Sequence, residues 1–139
     1  MKATTYFAIL RNTFERICKD LDRLNEMKER ATSCGSFKYS DDPAVQRSMS
    51  EDKISKAVTE YVDFSNRLSD RIQKYQERRC QVINQISQLP DPLQRQVLMK
   101  VYVEFKTVQQ TAAECERSES HLWTVKRNAL KAFERQWLT

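Results

Sequence analysis

The chain has 139 residues, 40% of them hydrophobic and 31% charged, with a single glycine and a mean hydropathy of -0.74. One glycine excludes most β-rich architectures, whose hairpin turns need φ > 0 residues, and it excludes the glycine-rich phosphate loops of P-loop and Rossmann enzymes. The formal net charge of +5 suits nucleic acid or an acidic surface, but 16 basic and 13 acidic residues in 1–89 against 8 and 6 in 90–139 concentrate it in neither half.

Helix formers dominate and breakers are few, so the expected fold is all-α, elongated and soluble. In the first segment Phe7, Leu10, Phe14, Ile17, Leu21, Leu24 and Ala31 recur at steps of three and four, with Lys28 at the intervening position. The spacing predicts one helix over residues 5–31, about 40 Å long at 1.5 Å per residue. Residues 32–49 carry the glycine and several Ser and Asp residues, which read as a loop. Ser50 then reads as an N-cap, with Glu51 and Asp52 in the first turn.

From Ile54 the apolar pattern runs through Val58, Tyr61, Ser65, Leu68, Ile72, Tyr75, Arg79, Val82, Ile86 and Leu89 without a slip. Alternating steps of four and three over this span describe a coiled-coil seam, weakened at Ser65 and Arg79. A helix of that span is about 60 Å long. Two such helices joined by one loop predict an antiparallel hairpin over residues 1–89. The second helix outruns the first, so its overhang must pack on the C-terminal part, another copy or a partner.

Pro90-Asp91-Pro92 breaks the helix. Beyond it, residues 90–139 predict a small trihelical domain. Leu93, Val97, Leu98, Val101 and Tyr102 mark its first helix. Val108, Ala112, Ala113 and Cys115 mark its second, and Leu122, Val125, Ala129, Leu130 and Phe133 its third. The last two suit a helix-turn-helix: small Ala112 allows close crossing, Ser118 can cap the third helix, and Leu122 and Val125 face inward. Glu119, Ser120, Trp123, Thr124 and Arg127 then point outward on the helix that would enter a major groove.

Leu89-Pro90, Arg95-Gln96-Val97-Leu98, Tyr102-Val103-Glu104, Ala112, Glu114, Ser118 and Ala129-Leu130 together resemble region four of bacterial sigma factors. With the long hairpin and the element Ser40-Asp41-Asp42-Pro43-Ala44-Val45-Gln46-Arg47-Ser48, the chain resembles the small RinA- and ArpU-like regulators of Gram-positive phages. The likeness covers roughly residues 40–133 by motif and the first helix by pattern. It implies control of phage late genes by binding promoter DNA in the bacterial cytoplasm. Four positions depart from the pattern. Glu116 stands where a turn glycine is usual, Thr111 stands where an aliphatic residue is expected, and Glu119 and Ser120 stand where sigma factors often carry basic residues.

The expected DNA-binding set is therefore Ser118, Glu119, Ser120, Trp123, Thr124, Lys126, Arg127 and Lys131. Lys126, Arg127 and Lys131 would attract phosphate, while Glu119, Ser120, Trp123 and Thr124 would read bases. Trp123 stays open to a second use, closing the small core or meeting a protein. His121 reads as a surface side chain.

Cys18, Cys80 and Cys115 read as small apolar fillers and reduced thiols of a cytosolic protein, with Cys34 exposed in its loop. No CxxC pair, one histidine and no apolar run of about 18 residues leave no expected metal site, cofactor, catalytic residue, signal peptide or membrane span. The expected partners are double-stranded DNA, a second copy of the chain, and RNA polymerase or another host protein. A protein-interaction module and a small-terminase-like packaging protein are the alternatives.

Overall fold

The computed structural model describes the backbone of residues 1–33 and 43–139 and the side chains of residues 1–32 and 52–139. Among these residues five α-helices follow in order: α1 (Ala3–Ser33), α2 (Pro43–Ser87), α3 (Pro92–Leu98), α4 (Val108–Glu114) and α5 (Glu119–Phe133). α3 runs on into a π-helical turn, Met99–Val103, and α5 into another, Glu134–Leu138. Among the described residues the fold is all-helical, with no strand.

The expected loop over 32–49 is too long. Helix α1 continues through Ser33, where the Thr32 hydroxyl donates to the Lys28 carbonyl at 2.8 Å, and α2 has already begun at Pro43. Ser50 is therefore not an N-cap but lies inside α2. Pro43 supplies the reason: proline suits the first position of a helix, and nothing from Ala44 to Ser50 breaks one. Cys34 and the stretch Ser40-Asp41-Asp42 lie outside the described residues.

Contacts divide the chain into two compact units, Met1–Glu15 with Lys74–Thr139, and Arg16–Gln73. In the second unit Ile17 and Leu68 are buried, and Ile54, Tyr61, Ser65 and Ile72 are half-buried, as the seam predicts. Asp20 pairs with Arg71 at 2.6 Å, and the Arg23 guanidinium lies 5.3 Å from the Phe64 ring centre. Partner numbers fall on α2 as they rise on α1, so these stretches run antiparallel. Val58 departs from the seam and is 45% exposed, as are Val62 (46%) and Leu21 (41%).

The first unit holds the main core. Ala3, Phe7 and Leu10 of α1 meet Val82 and Ile86 of α2, Leu89, Leu98, Val103, and Ala129 and Phe133 of α5. The Phe7 ring lies 4.6 Å from Tyr102 in a parallel stack and 4.8 Å from Phe133. Polar bonds tie the same elements. The Ala3 N–H, an orphan donor of the α1 N-terminus, donates to Glu134 Oε1 at 2.7 Å. The Tyr6 hydroxyl donates to Gln85 Oε1 at 2.7 Å, and Trp137 Nε1–H donates to the Gln85 carbonyl at 3.1 Å.

Short-range chemistry sets the remaining helix ends. Asp91 caps α3, accepting from the Leu93 and Gln94 N–H groups, with Pro92 at the first helical position. Thr107 and Gln110 form a reciprocal capping box on α4. Val97, Val108, Ala112 and Leu122 form a second buried cluster that joins α3, α4 and α5.

Thr111, the expected aliphatic position, is fully buried, and its hydroxyl donates to the Thr107 carbonyl at 2.8 Å. That carbonyl already accepts the Thr111 N–H at 3.0 Å, so the extra bond adds little. Thr111→Val, nearly the same shape, should change the unfolding free energy by no more than about 1 kcal/mol. Urea titration followed by circular dichroism measures it. A loss of several kcal/mol would mean that the hydroxyl does more than satisfy itself.

Candidate nucleic-acid interface

The eight residues singled out above belong to α5 and its cap, so the turn that launches α5 decides where they stand. Helix α4 ends at Glu114, with Cys115 as its C-cap. Glu116 then takes φ 55°, its N–H donates to the Ala113 carbonyl at 3.3 Å, and the Arg117 N–H donates to the Ala112 carbonyl at 3.0 Å. This pair of bonds is a Schellman motif with glutamate in the left-handed position that glycine usually takes. An L-residue there costs about 1–2 kcal/mol. Glu116→Gly should accordingly raise the unfolding free energy by about 0.5–1 kcal/mol, the relief of strain less the extra freedom of glycine in the unfolded chain. An unchanged or lowered denaturation midpoint would show that the turn carries no strain.

Ser118 restarts the helix, its hydroxyl accepting from the His121 N–H at 3.2 Å. From that start Ser120, Thr124, Arg127 and Lys131 follow at steps of four, three and four, which puts them on one stripe. All four are exposed, opposite buried Leu122, Ala129 and Phe133. The Thr124 hydroxyl donates to the Ser120 carbonyl at 3.3 Å, leaving its oxygen free to accept. Trp123 flanks the stripe and is 48% exposed. Glu119, also exposed, sits in the first turn, where the helix dipole favours a carboxylate. His121 is exposed, as expected.

Lys126 stands apart from the other two bases. It is half-buried, and its Nζ lies 4.6 Å from the Trp123 ring centre and 5.6 Å from that of Tyr102. Burial pushes its ammonium below the usual lysine value and pushes the Tyr102 phenol up. Nothing in the one-dimensional pattern marks Tyr102 as a neighbour of Lys126.

A charge cluster at the end of α4 leaves no mark in the sequence pattern. Glu114 accepts from Lys100 at 2.5 Å and from Lys106 at 2.8 Å. Its hydrogen bonds to Lys100 and then Lys106 hold its carboxyl below the usual range, and the bond to Glu114 raises Lys100. A depressed carboxyl stabilises the fold above the ordinary glutamate range, and the effect is lost as pH falls through the folded-state value; for Lys100 it is lost as pH rises through its raised value. Glu114→Gln should therefore be less stable than the parent at neutral pH, with the gap closing as pH falls through the lowered carboxyl value. A gap that persists in acid would assign the loss to something other than charge.

Of the cysteines expected as fillers, Cys115 packs against the Val97, Val108, Ala112 and Leu122 cluster, but Cys18 and Cys80 do not fill a core. Cys18 and Cys80 are exposed and Cys115 is half-buried. Cys18 and Cys80 each follow a seam residue, Ile17 and Arg79, and one helical step turns them about 100° away from the seam.

No family model, curated protein or solved structure matches the chain.

Among the described residues no group of three or more His, Cys, Asp or Glu side chains could hold a metal ion. No described helix is long and apolar enough to cross a membrane. The exposed stripe of α5 offers hydrogen bonding by Ser120 and Thr124 and positive charge at Arg127 and Lys131, with the Trp123 ring beside it.

Proposed function

We propose that the chain is a sequence-specific DNA-binding regulator of transcription, of the phage-encoded late-gene type, that works as a homo-oligomer in the bacterial cytoplasm. In this reading residues 1–89 form a helical hairpin arm. Residues 90–139 form a sigma-region-four-like domain, with α4 and α5 as its helix-turn-helix. The single observation that supports it most is the exposed stripe Ser120, Thr124, Arg127 and Lys131, free of acids along its length. Hydroxyls near the start of α5 suit base edges, and the two cations further along suit backbone phosphates. The carboxylate of Glu114 at the end of α4 is held by Lys100 and Lys106, so its charge is largely offset.

The test is affinity sequencing of fragmented source-genome DNA on the purified protein at about 150 mM salt, where weak electrostatic binding is already suppressed. One enriched site near a promoter is the expected result. Enrichment at a packaging gene, with a ring-sized solution mass, would instead favour the terminase-like role.

Exposed Trp123 and Glu119 favour a second reading, in which the same face meets RNA polymerase or another host protein. Absence of any enriched DNA together with polymerase capture would select it.

A further inference from the structure

Phe7, Tyr102, Lys126 and Trp123 form a column that runs from the core to the surface. Phe7 is buried and stacked on Tyr102, Lys126 Nζ lies over both Tyr102 and Trp123, and the indole of Trp123 reaches solvent. We propose that Lys126 is a positioning residue: its ammonium holds the Trp123 indole in one orientation beside the α5 stripe, preset as an apolar contact for a thymine 5-methyl group.

Both rings lie within the roughly 6 Å over which a cation and an aromatic face attract. They come from different elements, Tyr102 from the π-helical turn after α3 and Trp123 from α5. The cation thereby joins the exposed ring to one anchored in the core. An exposed tryptophan without such a tie samples several rotamers, and ordering it on contact would cost affinity. A lysine shared by two rings is also poorly placed to reach a phosphate, which leaves that part to Arg127 and Lys131. The lowered affinity of its ammonium for protons agrees with this buried placement. Contact between an apolar side chain and the thymine methyl is an established way of reading that base in the major groove. The partner named here rests on the DNA-binding reading, whereas the clamp is a property of the free protein.

Two measurements separate these parts. In a Trp137→Phe background, carried by every protein compared, Trp123 is the remaining tryptophan. Acrylamide quenching and anisotropy decay of the free protein then report its exposure and motion. Lys126→Met keeps the stem and removes the charge, and should raise quenching about twofold and add a nanosecond component. Lys126→Arg should restore the parent behaviour.

The second measurement uses random-sequence duplexes containing either thymine or uracil. The parent should bind the uracil pool about fourfold more weakly, the value of one buried methyl group. Lys126→Met should lose most of that discrimination and keep the parent's salt dependence. A tryptophan equally protected in Lys126→Met would overturn the clamp. A salt slope lowered by about 1 would overturn it too, by making Lys126 a phosphate contact. If neither pool binds, the DNA reading fails while quenching still decides the clamp.

Discussion

Phe7→Ala is expected to lower the unfolding free energy by about 3–5 kcal/mol, the range for emptying a fully buried phenylalanine site. Phe7 is 1% exposed and touches three rings, Tyr6, Tyr102 and Phe133, at centroid distances of 5.7, 4.6 and 4.8 Å. Alanine would leave a void bordered by helices that are also held by the Ala3–Glu134 and Tyr6–Gln85 bonds, so the walls cannot easily close. Phe14→Ala is the control: Phe14 lies on the same helix near Tyr75 and Phe105 but is 38% exposed, and its loss should cost far less. Urea titrations of both variants give the comparison. A Phe7→Ala loss no larger than that of Phe14→Ala would mean that the core tolerates the hole or refills it.

The second large effect is expected in DNA binding. With Arg127 and Lys131 both replaced by alanine, affinity for the selected duplex should fall roughly 100-fold, each charged hydrogen bond being worth about 1.5 kcal/mol or more. The slope of log K against log salt should flatten by about 2, because each phosphate contact releases about 0.9 of a counterion. Both side chains are exposed, so thermal stability should hardly change. An affinity drop with an unchanged slope would assign them to base edges instead. No change in either would remove the end of α5 from the interface.

What could be read without coordinates was local. The seam from Ile54 along α2 to Leu89 just beyond it follows from side-chain periodicity, and burial agrees along most of it. The Ser118 cap and the need for a turn at Glu116 follow from neighbours within a few residues. Val58 failed because periodicity says which side chains share a face, not whether that face is covered at every step. The helix from Pro43 to Ser50 was missed because serine and aspartate suit loops, yet serine costs a helix interior little.

Distant pairings left no trace in the pattern. Glu134 meets the first turn of α1 from 131 residues away, and Tyr102 reaches Lys126 only through the packing of α3 on α5. The left-handed conformation of Phe105 is of the same kind. Glycine usually announces such a position, but the chain's glycine stands elsewhere.

The contact between Phe7 and Phe133 has a consequence for synthesis. The two are 126 positions apart, so at 5–20 residues added per second the ribosome makes the second about 6–25 s after the first. Throughout that interval the stripe of Phe7 and Leu10 lacks the α5 residues that bury it. The core therefore closes only after α5 has been made, and until then the apolar face of the nascent first helix is open to a chaperone.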